Sequence, residues 1–181
     1  MNIKNPWEDI LTNLYRMLII KPRPVILDIG TGFMINLELL LNAAPRESKI
    51  YSIDPSLEVM DNAEKRFKEE ILRGRVVLKR ASAEEIPLND ESLDYVTSAI
   101  TFHHIEDKES ALREVERVMR RDGMAIILDW GRRGSEYSPH TAEHLENSLN
   151  ELRQLISKRF EVRLEKNFND LFYFVVFTRK A

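Results

Sequence analysis

The sequence predicts an α/β fold built on a mainly parallel sheet, and three observations carry that reading. Short apolar runs rich in Val and Ile alternate with longer stretches of helical periodicity along the 181 residues, the pattern of successive strand–helix–strand units. The first of these runs stops in a glycine turn, Asp28-Ile29-Gly30-Thr31-Gly32, before a helical pattern begins near Phe33. The last two runs are joined by a loop of about five residues containing Asn and Asp, short enough for an antiparallel hairpin.

Asn5, Pro6 and Glu8 read as the N-cap, first helical position and first-turn acid of an opening helix, each suited to the free N–H groups and positive end of a helix N-terminus. Ile10, Leu11, Leu14 and Leu18 form its apolar stripe, and Pro22 and Pro24 end it, because proline cannot continue a helix and favours extended backbone before it. A strand then leads into the glycine turn, followed by a leucine-rich helix over 33–44 that Pro45 closes. A second strand over 50–53 ends at Asp54-Pro55. The helix from Ser56 carries Leu57, Met60, Ala63, Phe67 and Ile71 on one face and stops at Gly74. A third strand follows over 75–81, then a short helical turn from Ser82 to Glu85, stopped by Pro87.

The fourth strand is expected over 93–99 and an amphipathic helix over 107–121, with Leu112, Val115 and Val118 facing inward. Arg120 and Arg121 would sit at its negative end and Gly123 would cap it. A fifth strand over 124–128 runs to Asp129-Trp130, and after a loop over 131–134 Ser138-Pro139 opens a helix burying Leu145, Leu149, Leu152 and Ile156. Phe160, Val162 and Leu164 alternate with Glu161, Arg163 and Glu165, as in a half-exposed edge strand, whereas 171–177 is almost continuously apolar and belongs inside. The chain reads as one domain: an N-terminal helix over 1–21, a core over 24–130, and a loop, helix and hairpin over 131–181.

Composition narrows the function. Apolar residues make up 43% and charged residues 31%, a globular balance with a rich surface. A net charge of −3 gives no general attraction to a phosphate backbone and disfavours a nucleic-acid partner. The absence of cysteine excludes disulfides, thiolate metal sites and cysteine catalysis. No apolar stretch reaches membrane-spanning length and no signal-peptide pattern opens the chain, so no membrane insertion and a cytoplasmic location are expected. A homodimer is compatible with the sequence.

Open α/β sheets bind ligands at the carboxyl ends of their strands. Here those ends carry the glycine turn, Asp54, Ser82, the stretch from Ser98 to His104, and Asp129. Asp54 stands close to the spacing at which a carboxylate accepts the hydroxyls of a ribose. A dinucleotide site would also want a third glycine where Ile35 stands, and Asp28 is unhelpful near a diphosphate. S-adenosyl-L-methionine, an adenosine bearing a sulfonium and an ammonium, suits an acidic site better.

The motifs are also specific in kind. Asp28-Ile29-Gly30-Thr31-Gly32 resembles the first motif of the class I S-adenosylmethionine-dependent methyltransferases. Ser82-Ala83-Glu84-Glu85-Ile86-Pro87 resembles their acidic adenine segment, and the stretch from Asp94 through His103-His104 resembles their fourth-strand region. Arg121-Asp122-Gly123 and the apolar run after it resemble their fifth. The similarity is to the branch that includes quinone-biosynthesis C-methyltransferases. It implies a single-domain Rossmann-like methyltransferase fold, with a seven-stranded sheet of order 3-2-1-4-5-7-6, the last strand antiparallel, and helices on both faces. It also implies that Gly30, Thr31 and Gly32 pass under the methionine part of the cofactor with Asp28 near its ammonium. Asp54 would bind the ribose; Pro55, Ser56, Ser82, Ala83 and Glu84 would surround the adenine, and Ser98 would stand at the methionine end. Two departures matter: Met34 replaces a common third glycine, which would narrow the pocket there, and Ser82 replaces an aspartate, giving a weaker uncharged acceptor.

His103, His104 and Asp129 are the candidates for chemistry at the acceptor, since imidazole titrates near neutrality and all three follow strand ends. The competing reading packs one histidine against the sheet, leaves the other lining a pocket, and has Asp129 cap the next loop. No metal site is expected, because no acid at helical spacing completes a triad with the histidines. Trp130 and Tyr137 could form an aromatic wall for a flat or cationic substrate or simply pack, Arg132 and Arg133 could hold an anion or form a solvated loop, and Tyr15 and Arg16 could close over the cofactor or remain helix surface. The first helix and the loop over 131–140 are the expected lid. The leading function is methyl transfer from S-adenosylmethionine to a small-molecule acceptor. The alternatives are a methyltransferase acting on protein or RNA, a non-catalytic S-adenosylmethionine-binding partner subunit, and, least favoured, a nicotinamide oxidoreductase.

Overall fold

The computed structural model describes residues 6–180; the expected N-cap Asn5 lies outside them. All seven strands form one sheet of order β3-β2-β1-β4-β5-β7-β6: β1 (Val25–Ile29), β2 (Lys49–Asp54), β3 (Val76–Arg80), β4 (Leu93–Ala99), β5 (Met119–Trp130), β6 (Phe160–Phe168) and β7 (Phe172–Arg179). The first five pair in parallel, and β7 runs antiparallel to both β5 and β6. The strand order therefore reverses direction between β1 and β4, which places a switch-point crevice above those two strands.

The helices are α1 (Pro6–Leu18), α2 (Ile35–Ala43), α3 (Leu57–Arg66), α4 (Lys68–Leu72), α5 (Lys108–Val118) and α6 (Ala142–Arg159). Alternate residues of the central strands serve opposite faces of the sheet. Leu27, Ile29 and Val96 pack with Leu112, Val115, Leu152 and Ile156 of α5 and α6. Ile26 and Tyr95 pack with Leu11, Tyr15, Leu37, Leu40 and Ala63 of α1, α2 and α3. Coverage on both faces explains why β1 and β4 read as apolar runs rather than alternating ones.

Five local expectations are corrected. The helix from Ser56 breaks at Phe67, whose φ/ψ of −105/25 interrupts it and yields α3 and α4. Ser82 to Glu85 is a turn without helix. Arg120, Arg121 and Gly123 belong to β5 and not to α5, whose C-cap is Met119 in extended conformation. Pairing of β4 with β5 jumps from Leu93↔Met119 to Tyr95↔Met124, so these residues bulge out, held by Arg120 on buried Asp94 at 2.6 Å and by Lys21 bridging Asp94 and Asp122. Finally, α6 starts later than Ser138-Pro139: Thr141 is its N-cap, its Oγ1 accepting from the backbone N–H of His144. The segment before it is left free to fold over the strand ends. The closing hairpin is tighter than expected, with Asn169 and Asp170 both at positive φ (52° and 59°) and Leu171 N–H donating to Phe168 O, a turn whose twist matches its strands.

Candidate active site

A cavity of about 690 Å³ opens over the carboxyl ends of β1 to β5, a size typical of small-molecule sites. Its floor begins at the glycine turn. Gly30 has φ +85, and a Cβ there would lie 2.2 Å from Thr101 Oγ1, so only glycine lets β1 leave the sheet beside the β4 loop. Its N–H and that of Thr31 both donate to Ile53 O, tying the turn to the end of β2. Gly32 also has positive φ (+42), but its Cα faces open space. Its N–H donates to Asp54 Oδ2 and that of Ser56 donates to Asp54 Oδ1, both at 3.0 Å. The Asp54 carboxylate is thus aimed across the cavity mouth by two backbone donors, with lone pairs to spare.

Ten of the fourteen candidate cofactor-binding and catalytic residues line this cavity: Gly30, Thr31 and Gly32 from the turn, Asp54 and Pro55 after β2, Ser82, Ala83 and Glu84 after β3, and His103 and His104 after β4. The other four, Asp28, Ser56, Ser98 and Asp129, stand behind its wall. Ser98 is fully buried and donates to Ile29 O, bracing β4 on β1. The Ser56 side chain caps α3 through the N–H of Val59. Asp28 is buried beneath the turn, where it accepts from Asn36 Nδ2 (2.6 Å) and Ser52 Oγ (2.7 Å). Tyr15, expected either over the cofactor or at the helix surface, is instead fully buried off the cavity wall, and its hydroxyl donates to Asn36 Oδ1 at 2.6 Å. This chain of hydrogen bonds fastens α1 to the base of the glycine turn. Asp28 therefore braces the turn from below and does not line the cavity.

Burial raises the Asp28 carboxyl from 3.8 to about 7, against the two hydrogen bonds that favour its charged form. The folded protein consequently holds this proton more tightly than the unfolded chain, and stability contributed by the group falls as pH rises from about 4 to about 7. Urea unfolding at a series of pH values should show that decline, and Asp28→Asn, which keeps the shape without the charge, should flatten it.

Met34, in place of the third glycine, does not narrow the cavity. It occupies the left-handed region (φ 67, ψ 3) as the N-cap of α2, and its side chain packs into the apolar cluster under α1 and α2. The conformation that favours glycine is kept, at a cost of about 1–2 kcal/mol for a side-chain-bearing residue. Ile100, at the end of β4 on the cavity wall, also has positive φ (55), a strained state for a β-branched residue and one that collects at functional sites.

On the acceptor side, His103 and His104 form a short 3-10 turn over Phe102–His104. Asp129, at the end of β5, both caps this turn and orients a ring: its Oδ2 accepts from His103 N–H at 2.9 Å, and its Oδ1 lies 2.7 Å from His103 Nδ1. Asp129 is buried and off the cavity wall, acting through His103. His140, from the segment before α6, stands 4.8 Å from both of the other rings, centroid to centroid. Burial, then the neighbouring imidazoles, lower the pKa of His104 and of His140 below the ordinary 6.5. Trp130 and Tyr137 both line the cavity, and Trp130 stacks on Phe172 at 5.1 Å. Arg132 and Arg133 are paired with Glu146 and Glu136 on the exterior, as a solvated loop. Trp7 of α1 and the residues from Tyr137 to His140 supply the roof, matching the expected lid; Arg16 is exposed. His140 carried no signal in the sequence because it lies in neither a motif nor a periodic stretch, and Trp7, on the apolar stripe of the first helix, read only as core.

Residues 27–127 match the family model described as "Methyltransferase domain". The chain belongs to this methyltransferase domain family. As the motifs implied, the family is that of the class I S-adenosylmethionine-dependent methyltransferases, and proteins named as quinone-biosynthesis C-methyltransferases are among the curated relatives. The methyltransferase domain is 30% identical over 130 residues to "Uncharacterized methyltransferase YcgJ" of Bacillus subtilis, covering 71% of this chain and 47% of that protein. It is 34% identical over 104 residues to the "Demethylmenaquinone methyltransferase" of Thermotoga maritima, covering 58% and 42%. The chain thus spans about half the length of the curated relatives it matches. Its fold superposes on a SAM-dependent methyltransferase from Aquifex aeolicus with TM-score 0.80 at 20% identity, over 97% of this chain and 94% of that one. Among the described residues no helix is long and apolar enough to cross a membrane.

Proposed function

We propose that this methyltransferase domain transfers a methyl group from S-adenosyl-L-methionine to a small-molecule acceptor. The observation that carries the reading is the Asp54 carboxylate, held by Gly32 N–H and Ser56 N–H at one end of a single cavity whose other end is the imidazole wall. Bound in that cavity, S-adenosylmethionine supplies an electrophilic methyl on a sulfonium. Asp54 accepts the ribose hydroxyls. The bare backbone of Gly30, Thr31 and Gly32 lets the methionine portion pass close to β1, and Asp28 and Ser98 hold that backbone from behind. Pro55, Ser82, Ala83 and Glu84 flank the base, with the Ser82 hydroxyl as hydrogen-bond acceptor.

Most of the rate in such a transfer comes from holding the acceptor in line with the methyl, the task of the lid formed by Trp7 and residues 137–140. An acceptor hydroxyl must also give up a proton, and the groups that handle it are His103, oriented by Asp129, and His104. The quinone-related relatives support an aromatic acceptor, for which Trp130 and Tyr137 offer flat walls. Calorimetry with S-adenosylhomocysteine, the demethylated product, tests the first half: one molecule bound per chain is expected, and no binding would overturn the reading. Transfer of labelled methyl to hydroxylated aromatic compounds tests the second.

A further inference from the structure

All four histidines of the chain converge at one place, although they lie on three separate segments. His103 and His104 come from the turn after β4, His140 from the lid segment, and His144 from the first turn of α6. One ligand nitrogen from each of His103, His104 and His140 can be chosen so that all three lie within 4.8 Å of one another, and all three residues line the cavity.

We propose that His103, His104 and His140 form a binding site for a divalent transition metal of the zinc class, with an open position facing the acceptor end of the cavity. Three geometric features support it. The set is three imidazoles with no protein fourth ligand among the described residues, the donor pattern of open rather than structural zinc sites, and imidazole suits such ions. The His103 ring is fixed by Asp129 through Nδ1 at 2.7 Å, with the two side chains only 3% and 4% exposed; this leaves Nε2 as the ligating atom and supplies the carboxylate partner that metal-bound histidines usually have. His144 adds a second layer: its Nε2 lies 3.1 Å from His103 O and its ring stacks on His140 at 5.2 Å.

Nitrogens sharing one tetrahedral ion with bonds of about 2.0–2.1 Å stand about 3.4 Å apart. The set therefore closes by a movement of about an ångström, within reach of the exposed His104 ring and the lid residue His140. The sequence offered no such site because its third ligand comes from a different loop, not from helical spacing beside the pair.

The inference deepens the methyltransferase reading and rests on it for the acceptor class: a molecule with an oxygen donor that takes the open position, whose negative charge the cation stabilises. With the ion bound, His103 and His104 serve as its ligands and no longer take the proton, which the oxygen loses to solvent. The test uses the full chain, stripped of metal by chelator and dialysis and free of cofactor. It is titrated with Co2+ by visible absorption and with Zn2+ by calorimetry. One ion per chain is expected, with His140→Ala weakening binding at least about thirtyfold and Asp129→Asn about tenfold to a hundredfold, while circular dichroism is unchanged. No stoichiometric uptake, or equal affinity in His140→Ala, would overturn the site. S-adenosylhomocysteine binding to the same metal-free protein separates the two readings. Its loss with the ion retained overturns the methyltransferase function alone, and the reverse result overturns the metal site alone.

Discussion

Asp54→Ala is expected to weaken S-adenosylhomocysteine binding about a hundredfold to ten-thousandfold while shifting the unfolding midpoint little. The two ribose hydroxyls would each donate to a charged acceptor, and such bonds contribute about 1.5–3 kcal/mol apiece. Every 1.4 kcal/mol is a factor of ten in affinity. Little of the carboxylate's interaction is with the core. Its partners are the N–H groups of Gly32, which is exposed, and Ser56, which is half-buried, and water can replace it at the first. Asp54→Asn keeps one carbonyl oxygen in place and should lose less, on the order of tenfold. Calorimetry checks the affinities and urea unfolding the stability. Unchanged affinity in Asp54→Ala would remove the ribose from this position, and with it the placement of the rest of the cofactor.

Much of this arrangement was legible in the chain, and the part that was not has a physical explanation. Strand ends could be read because buried parallel strands are apolar runs that stop where the backbone must leave the sheet, as at Asp28-Ile29-Gly30 and Ile53-Asp54. The order of the sheet followed from a resemblance, and the edge-and-inner character of β6 and β7 agreed with it. Where periodicity misled, a long-range ion pair had decided. Arg120 looks like the last turn of α5, yet Asp94, in the neighbouring strand, draws it into the bulge of β5. Side-chain direction was the second blind spot. Asp28 and Ser98 sit among residues that line the cavity, but their side chains point into the sheet layer, where Asn36 and Ser52 meet the first and Ile29 O accepts from the second. His140 illustrates the third, since a loop without motif or period reveals nothing about which strand end it will cover.

The two glycines of the turn should separate under substitution, because the structure gives them different reasons to lack a side chain. Gly30→Ala is expected to destabilise the fold by roughly 2–5 kcal/mol. Part of that is backbone strain at φ +85, about 1–2 kcal/mol for an L side chain in left-handed space. The remainder is steric, about 1–3 kcal/mol for overpacking: the new methyl would lie 2.2–2.8 Å from the Oγ1, Cγ2 and Cβ atoms of Thr101. Rotating Thr101 does not help, since its Cβ is itself too close. Thr101→Gly in the same chain should recover the steric part and leave the conformational part, a coupling that a double-mutant cycle measures directly. Gly32→Ala meets nothing nearer than 3.9 Å, so its stability loss should be confined to strain, about 1–2 kcal/mol. Its methyl would occupy open space beside Asp54, and S-adenosylhomocysteine affinity should fall more than stability does. Equal loss of stability in the two variants, measured by urea unfolding, would mean that contact with Thr101 does not set the shape of the turn.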